Sequence, residues 1–146
     1  MNPTLRNILA VLAGLAAGMI INSLLVNIGP SIIPLPEGAD VSDMEKLKAS
    51  MALFEPKHFI FPFLGHAMQA LVGAFIAVKI AVSNHFRIAM IIGVISLIGG
   101  ITAAAMFGGP AWFVILDLAV AYLPMAWLGW KLAGGKTTRA IKEQAD

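Results

Sequence analysis

The sequence predicts an all-α integral membrane protein: a bundle of four transmembrane helices with a short amphipathic helix on its outer surface. Three observations predict it. Of 146 residues, 59% are hydrophobic and only 12% are charged, against about 25% charged in a soluble domain. The mean hydropathy is +0.86, more apolar surface than a core of this size can hide from water. The apolar residues also fall into four runs, each near the ~20 residues a helix needs to cross the hydrocarbon. None of these runs alternates as a lipid-facing barrel strand does.

The first span covers residues about 5–28 and is expected to end at Gly29-Pro30. It is too long for a signal-peptide core and lacks a convincing cleavage site, so it stays in the mature protein. An outer loop, 29–57, follows, its first part kept extended by Pro30, Pro34 and Pro36. Ser42-Asp43-Met44-Glu45 fits a capping box with Ser42 as the cap. Met44, Leu47, Met51 and Phe54 then recur at helical spacing, which predicts an amphipathic helix over about 43–54 on the membrane surface. Pro56 stops it, because a residue before proline avoids the α region.

The second span covers about 59–82, and the polar turn Ser83-Asn84-His85-Phe86-Arg87 leads into the third, about 88–107. Gly108-Gly109-Pro110 breaks the chain before the fourth span, about 111–130, with Pro110 suited to a first helical turn. Residues 1–135 thus read as one membrane domain, and 136–146 as a polar cytoplasmic tail.

Basic residues set the orientation. Arg6, Lys79, Arg87, Lys131, Lys136, Arg139 and Lys142 lie on the side of the termini, and Lys46, Lys48 and Lys57 on the other. The positive-inside rule therefore places both termini in the cytoplasm, and the expected location is a bacterial inner membrane. Trp112 is expected at the outer interface, and Trp127 and Trp130 at the inner one. The net charge of +2 reflects these flanking residues, without the basic stripe of a nucleic-acid binder. The expected partner is the lipid bilayer. With no cysteine, disulfides, thiolate metal sites and cysteine nucleophiles are excluded.

Asp117 stands out within the apolar run Trp112-Phe-Val-Ile-Leu-Asp-Leu-Ala-Val-Ala-Tyr-Leu. A charge at mid-membrane costs roughly 2.5–3.5 kcal/mol on insertion scales, so it calls for a partner. At 1.5 Å per residue, Asp117 lies roughly 9 Å below the outer interface, and His66 about 10 Å, with Gln69 one turn deeper. Asn22 and Thr102 sit roughly 8 Å deep near the outer ends of their spans. Every helix therefore brings a polar group to one depth, whereas the inner half offers little beyond Ser96. Ala10, Gly14, Gly18 and Asn22 share a stripe on the first span, and Gly65, Gln69, Gly73 and Ala77 share one on the second. Small residues at this spacing let helices approach closely. Pro124 removes the donor that would bond the Val120 carbonyl, leaving an acceptor near Asp117.

These residues point to a non-enzymatic protein with an outward-facing polar pocket. Asp117, His66, Gln69, Asn22 and Thr102 are the candidates for binding a small ligand or ion, or for exchanging a proton. Histidine is the side chain whose charge changes near neutral pH, and a carboxylate is its natural counter-ion. The blander reading is that such groups act as interhelical glue worth about 0.6 kcal/mol each. That reading makes the chain a structural or accessory subunit of a larger membrane complex or of a homo-oligomer. Glu55 and His58, with oxygen and nitrogen donors at i and i+3, are weaker candidates for a metal. No phosphate loop, dinucleotide fingerprint, haem-attachment motif or nucleophile elbow occurs, so no cofactor is expected.

Overall fold

The computed structural model describes residues 1–135. The expected tail at 136–146 lies outside the described residues. All regular structure among the described residues is helical: α1 (Pro3–Ile32), α2 (Met44–Ser50), α3 (Ile60–Ile80), α4 (His85–Phe107), α5 (Ala111–Val120) and α6 (Leu123–Leu132). Short 3₁₀ turns at Met51–Leu53 and Pro56–Phe59 join α2 to α3. Four stretches are long and apolar enough to cross a membrane: Pro3–Ile32, Pro56–Ile80, His85–Phe107 and Ala111–Leu132. They pack as a bundle. Leu12, Met19, Ile20, Leu24, Ile98 and Ile115 point outward and exposed, as lipid-facing residues do.

Helix α3 is the hub, packed against α1, α4 and α6. The two small-residue stripes meet there. A Cβ on Gly73 would lie 2.9 Å from the Gly14 carbonyl oxygen, and one on Gly14 2.8 Å from Ala77 Cβ. Only glycine permits so close a backbone approach. On the far side of α3, Gly129 of α6 fits against the Leu71 backbone, and Ala74, Ala77, Ala89, Ala126 and Trp130 fill the core. The start of α1 closes the end of α3: Arg6 Nε donates to the Ile80 carbonyl at 3.0 Å, and Asn7 accepts from the Val82 N–H at 3.0 Å.

Four local expectations are corrected. Helix α1 runs through Gly29-Pro30 to Ile32, because Gly29 has no Cβ to clash with the proline ring and the lost hydrogen bond falls in the last turns. The cap of α2 is Asp43, whose side chain accepts from the Lys46 N–H at 2.8 Å, rather than Ser42. Ser42 Oγ accepts instead from Lys46 Nζ at 3.0 Å. Trp130 is a core residue, edge-on to Phe86 at 5.1 Å, whereas Trp112 and Trp127 are exposed. The fourth correction matters most. The last span is two helices, with the register lost at Ala121–Tyr122, where Tyr122 takes φ −113° and ψ −77°.

That break divides the span in character. Helix α6 buries Ala126, Gly129 and Trp130 against α3 and α4. Helix α5 buries a single residue, Asp117. Its other anchor is aromatic, with Phe113 and Trp112 packed on Phe59 at ring distances of 4.6 and 5.6 Å.

Candidate functional site

His66 faces the last span from one side of α3, and Gln69, a turn further on, faces α1. The depth-matched polar residues therefore form two pairs. Asn22 Nδ2 donates to Gln69 Oε1 between α1 and α3, in the space that Gly65 leaves beside the Asn22 side chain. Both ends of that bond are side-chain amides, so the pair joins two helices without charge. Thr102 joins neither pair: it is exposed, and its hydroxyl donates to the Ile98 carbonyl of its own helix at 2.8 Å. A threonine that bonds back one turn needs no interhelical partner.

The second pair carries charge. His66 Nδ1 lies 3.0 Å from Asp117 Oδ1 and 2.9 Å from Oδ2, a hydrogen bond shared by both carboxylate oxygens. Asp117 is 4% exposed, and the His66 side chain 23%. A carboxylate only accepts, so Nδ1 must be the protonated nitrogen. Tyr122 completes the arrangement. Its hydroxyl donates to Asp117 Oδ2 at 2.9 Å, and its ring stacks on the imidazole at a centroid distance of 5.7 Å and 27° between planes.

Tyr122 was not among the residues singled out from the sequence. In an unbroken helix, a residue five positions after Asp117 points well away from it. The break at Ala121–Tyr122 turns it back, and the only sequence signal for that was Pro124, at the second position of α6. Gly100 of α4 makes room for it, because any Cβ there would run into the Tyr122 ring and hydroxyl. Tyr122 is 1% exposed and thus fully enclosed.

The outcome is a polarised imidazole. Nδ1–H is held by a buried carboxylate that Tyr122 fixes in place. Nε2 has no hydrogen-bond partner among the described residues, and the His66 side chain keeps 23% of its surface exposed. With Nδ1 protonated, neutral His66 offers Nε2 as an acceptor, and protonated His66 offers it as a donor whose charge Asp117 balances. The arrangement can bind a hydrogen-bonding or cationic group, or hold and release a proton at Nε2.

Glu55 and His58 are occupied otherwise. His58 is buried, its Nδ1 accepts from the Glu55 N–H at 2.9 Å, and Nε2 donates to the Pro34 carbonyl at 3.2 Å. The ring therefore ties the loop to the head of α3. The Glu55 carboxylate is exposed and pairs with Lys57 at 3.0 Å, and that lysine holds it below the usual carboxylate range. No three His, Asp or Glu side chains gather to hold a metal among the described residues.

Fold and site define the class: a small four-span helical membrane protein with a partly exposed histidine paired to a buried carboxylate. Comparisons with known protein families, curated proteins and solved structures find no match.

Proposed function

We propose that the chain is a small-ligand or ion binder of the transporter type, working from the His66–Asp117 pair. The observation that carries this reading is His66 itself, with one nitrogen fixed on a buried carboxylate and the other left without a partner among the described residues. Helix packing alone does not need that arrangement. An asparagine or serine joins helices at lower cost than an aspartate, as Asn22 and Gln69 do in the same protein. By the distribution of Lys and Arg, the loop between α1 and α3 lies outside and both termini lie in the cytoplasm of a bacterial cell. His66 and Asp117 then belong to the outer half of the bundle, and Nε2 exchanges its ligand or proton on that side.

The second reading, a subunit of a larger membrane assembly, draws on a different observation. Ser23, Asn27 and Ser31 recur every fourth residue on α1 and are all exposed, outside the face that packs on α3. Native mass spectrometry of gently extracted protein separates the two. The first reading expects a specific non-lipid mass on the wild type that is lost from Asp117→Asn. Co-purifying subunits that persist in the variant, with no small ligand, favour the second.

A further inference from the structure

His58 is a buried titratable side chain that the His66–Asp117 pair does not use. It is 8% exposed and sits in the 3₁₀ turn Pro56–Phe59 at the head of α3. Both ring nitrogens are committed. Nδ1 faces the Glu55 N–H at 2.9 Å, and a backbone N–H can only donate, so Nδ1 carries no proton. Nε2 carries it and donates to the Pro34 carbonyl at 3.2 Å. The two bonds coexist only while the ring is neutral.

The bond to Pro34 is one of two clips on the stretch between α1 and α2. At its other end, Ser50 Oγ accepts from the Asp40 N–H at 2.9 Å and donates to the Asp40 carbonyl at 3.1 Å. A serine hydroxyl keeps its charge state across the range in which imidazole changes its own. The surroundings give a charged ring no reason to stay. The end of α1 presents Val26, Gly29, Pro30 and Ile33 around a cavity of about 30 Å³ beside the ring, enough for one water molecule. The loop adds Leu35, and Phe54 lies 5.6 Å from the imidazole. None of these groups ionises. The charges beside His58 belong to its own turn: the Glu55 carboxylate, which is exposed and paired with Lys57 at 3.0 Å.

We propose that His58 is a pH-operated clip on the outer loop. Protonating Nδ1 sets N–H against N–H, so the bond to Glu55 is lost. A buried charge without a close partner is driven toward water. The ring then leaves its seat and frees Pro34, while Ser50 still holds Asp40. Phe59, next in the same turn, packs on Trp112 and Phe113 of α5, so one turn joins the loop to the span that carries Asp117. By the orientation given above, the pH that matters is that of the outer side. The clip needs no ligand at His66, so it stands or falls apart from the reading above.

The test uses the full chain in detergent, with a nitroxide on Glu37→Cys as its one cysteine. Glu37 is exposed and lies between the two clips, and its replacement removes the carboxylate nearest Pro34 in the sequence. Electron paramagnetic resonance follows the loop, and circular dichroism the helices, as pH falls from about 8 to about 5, the interval in which histidine changes charge. The expected result is a one-proton transition in which the label's rotational correlation time shortens several-fold at unchanged helicity. His58→Gln supplies an acceptor and a donor that do not titrate. The label in that variant should show no transition, whether its loop is held or free. A loop that does not respond with His58 present, a response that His58→Gln retains, or one that coincides with loss of helix would overturn the proposal.

Discussion

The Asp117 carboxylate accepts from two different side chains, His66 and Tyr122, at 2.9–3.0 Å. Tyr122→Phe keeps the stacked ring and removes one of those bonds. Its expected cost is about 0.6 kcal/mol and at most ~1.7 kcal/mol, the range for hydrogen bonds between membrane helices, read as a small loss in unfolding free energy. Gly100→Ala is expected to cost more, about 1–3 kcal/mol, because its methyl group displaces the Tyr122 ring. A Gly100→Ala protein as stable as wild type would show that Tyr122 is not seated as described. His66 and Asp117 were legible from sequence because helical rise converts position into depth. Depth is only one coordinate. Thr102 has the right depth and the wrong face, since it lies two residues from Gly100 and therefore on the opposite side of α4. The Asn22 and Gln69 faces were legible because small residues marked them.

At the scale of elements, the broken fourth span is what the sequence hid. The hydropathy of Ala111–Leu132 is continuous, and a proline near mid-span is compatible with a kink as well as with a break. Pro124→Ala restores a donor for the Val120 carbonyl and is expected to join α5 to α6. Amide exchange at residues 120–125 should slow, while Tyr122 swings away from Asp117 and ligand or proton exchange falls. Unchanged exchange at these amides would mean that packing, not the proline, enforces the break. Helix α2 permits a separate test. Hydrogen bonds from Ser42, then the neighbouring Lys46, lower the Asp40 pKa to about 2. The native value lies below the ordinary 3.8 of an aspartate, so this contribution is complete above the unfolded pKa and is lost as pH falls through about 2. NMR should show the Asp40 carboxyl titrating near that value and moving up in Ser42→Gly. An Asp40 that titrates as a free carboxylate would remove the turn at Asp40–Ser42 from the account.

For the whole molecule, the bundle depends on α3, which carries small residues toward α1 on one face and toward α6 on another. Gly14→Leu is expected to detach α1 and destabilise the protein by more than the same change at the unpacked Gly99, where nothing lies within 4 Å of a new Cβ. Four spans and their order were readable from composition because lipid as solvent allows few alternatives. The pairing of helices was readable only where glycine stripes existed. The absence of cysteine makes orientation simple to map: Lys48→Cys should react with an impermeant thiol reagent from outside intact cells, and Ser83→Cys only after permeabilisation.

The most direct test of the account is the tautomer of His66, read by ¹⁵N NMR of histidine-labelled protein in detergent. The carboxylate of Asp117 should hold the proton on Nδ1 and leave Nε2 as a bare acceptor when the ring is neutral, and Asp117→Asn should weaken that preference. A neutral wild-type His66 carrying its proton on Nε2 would contradict the geometry and remove the group on which the proposed binding site depends.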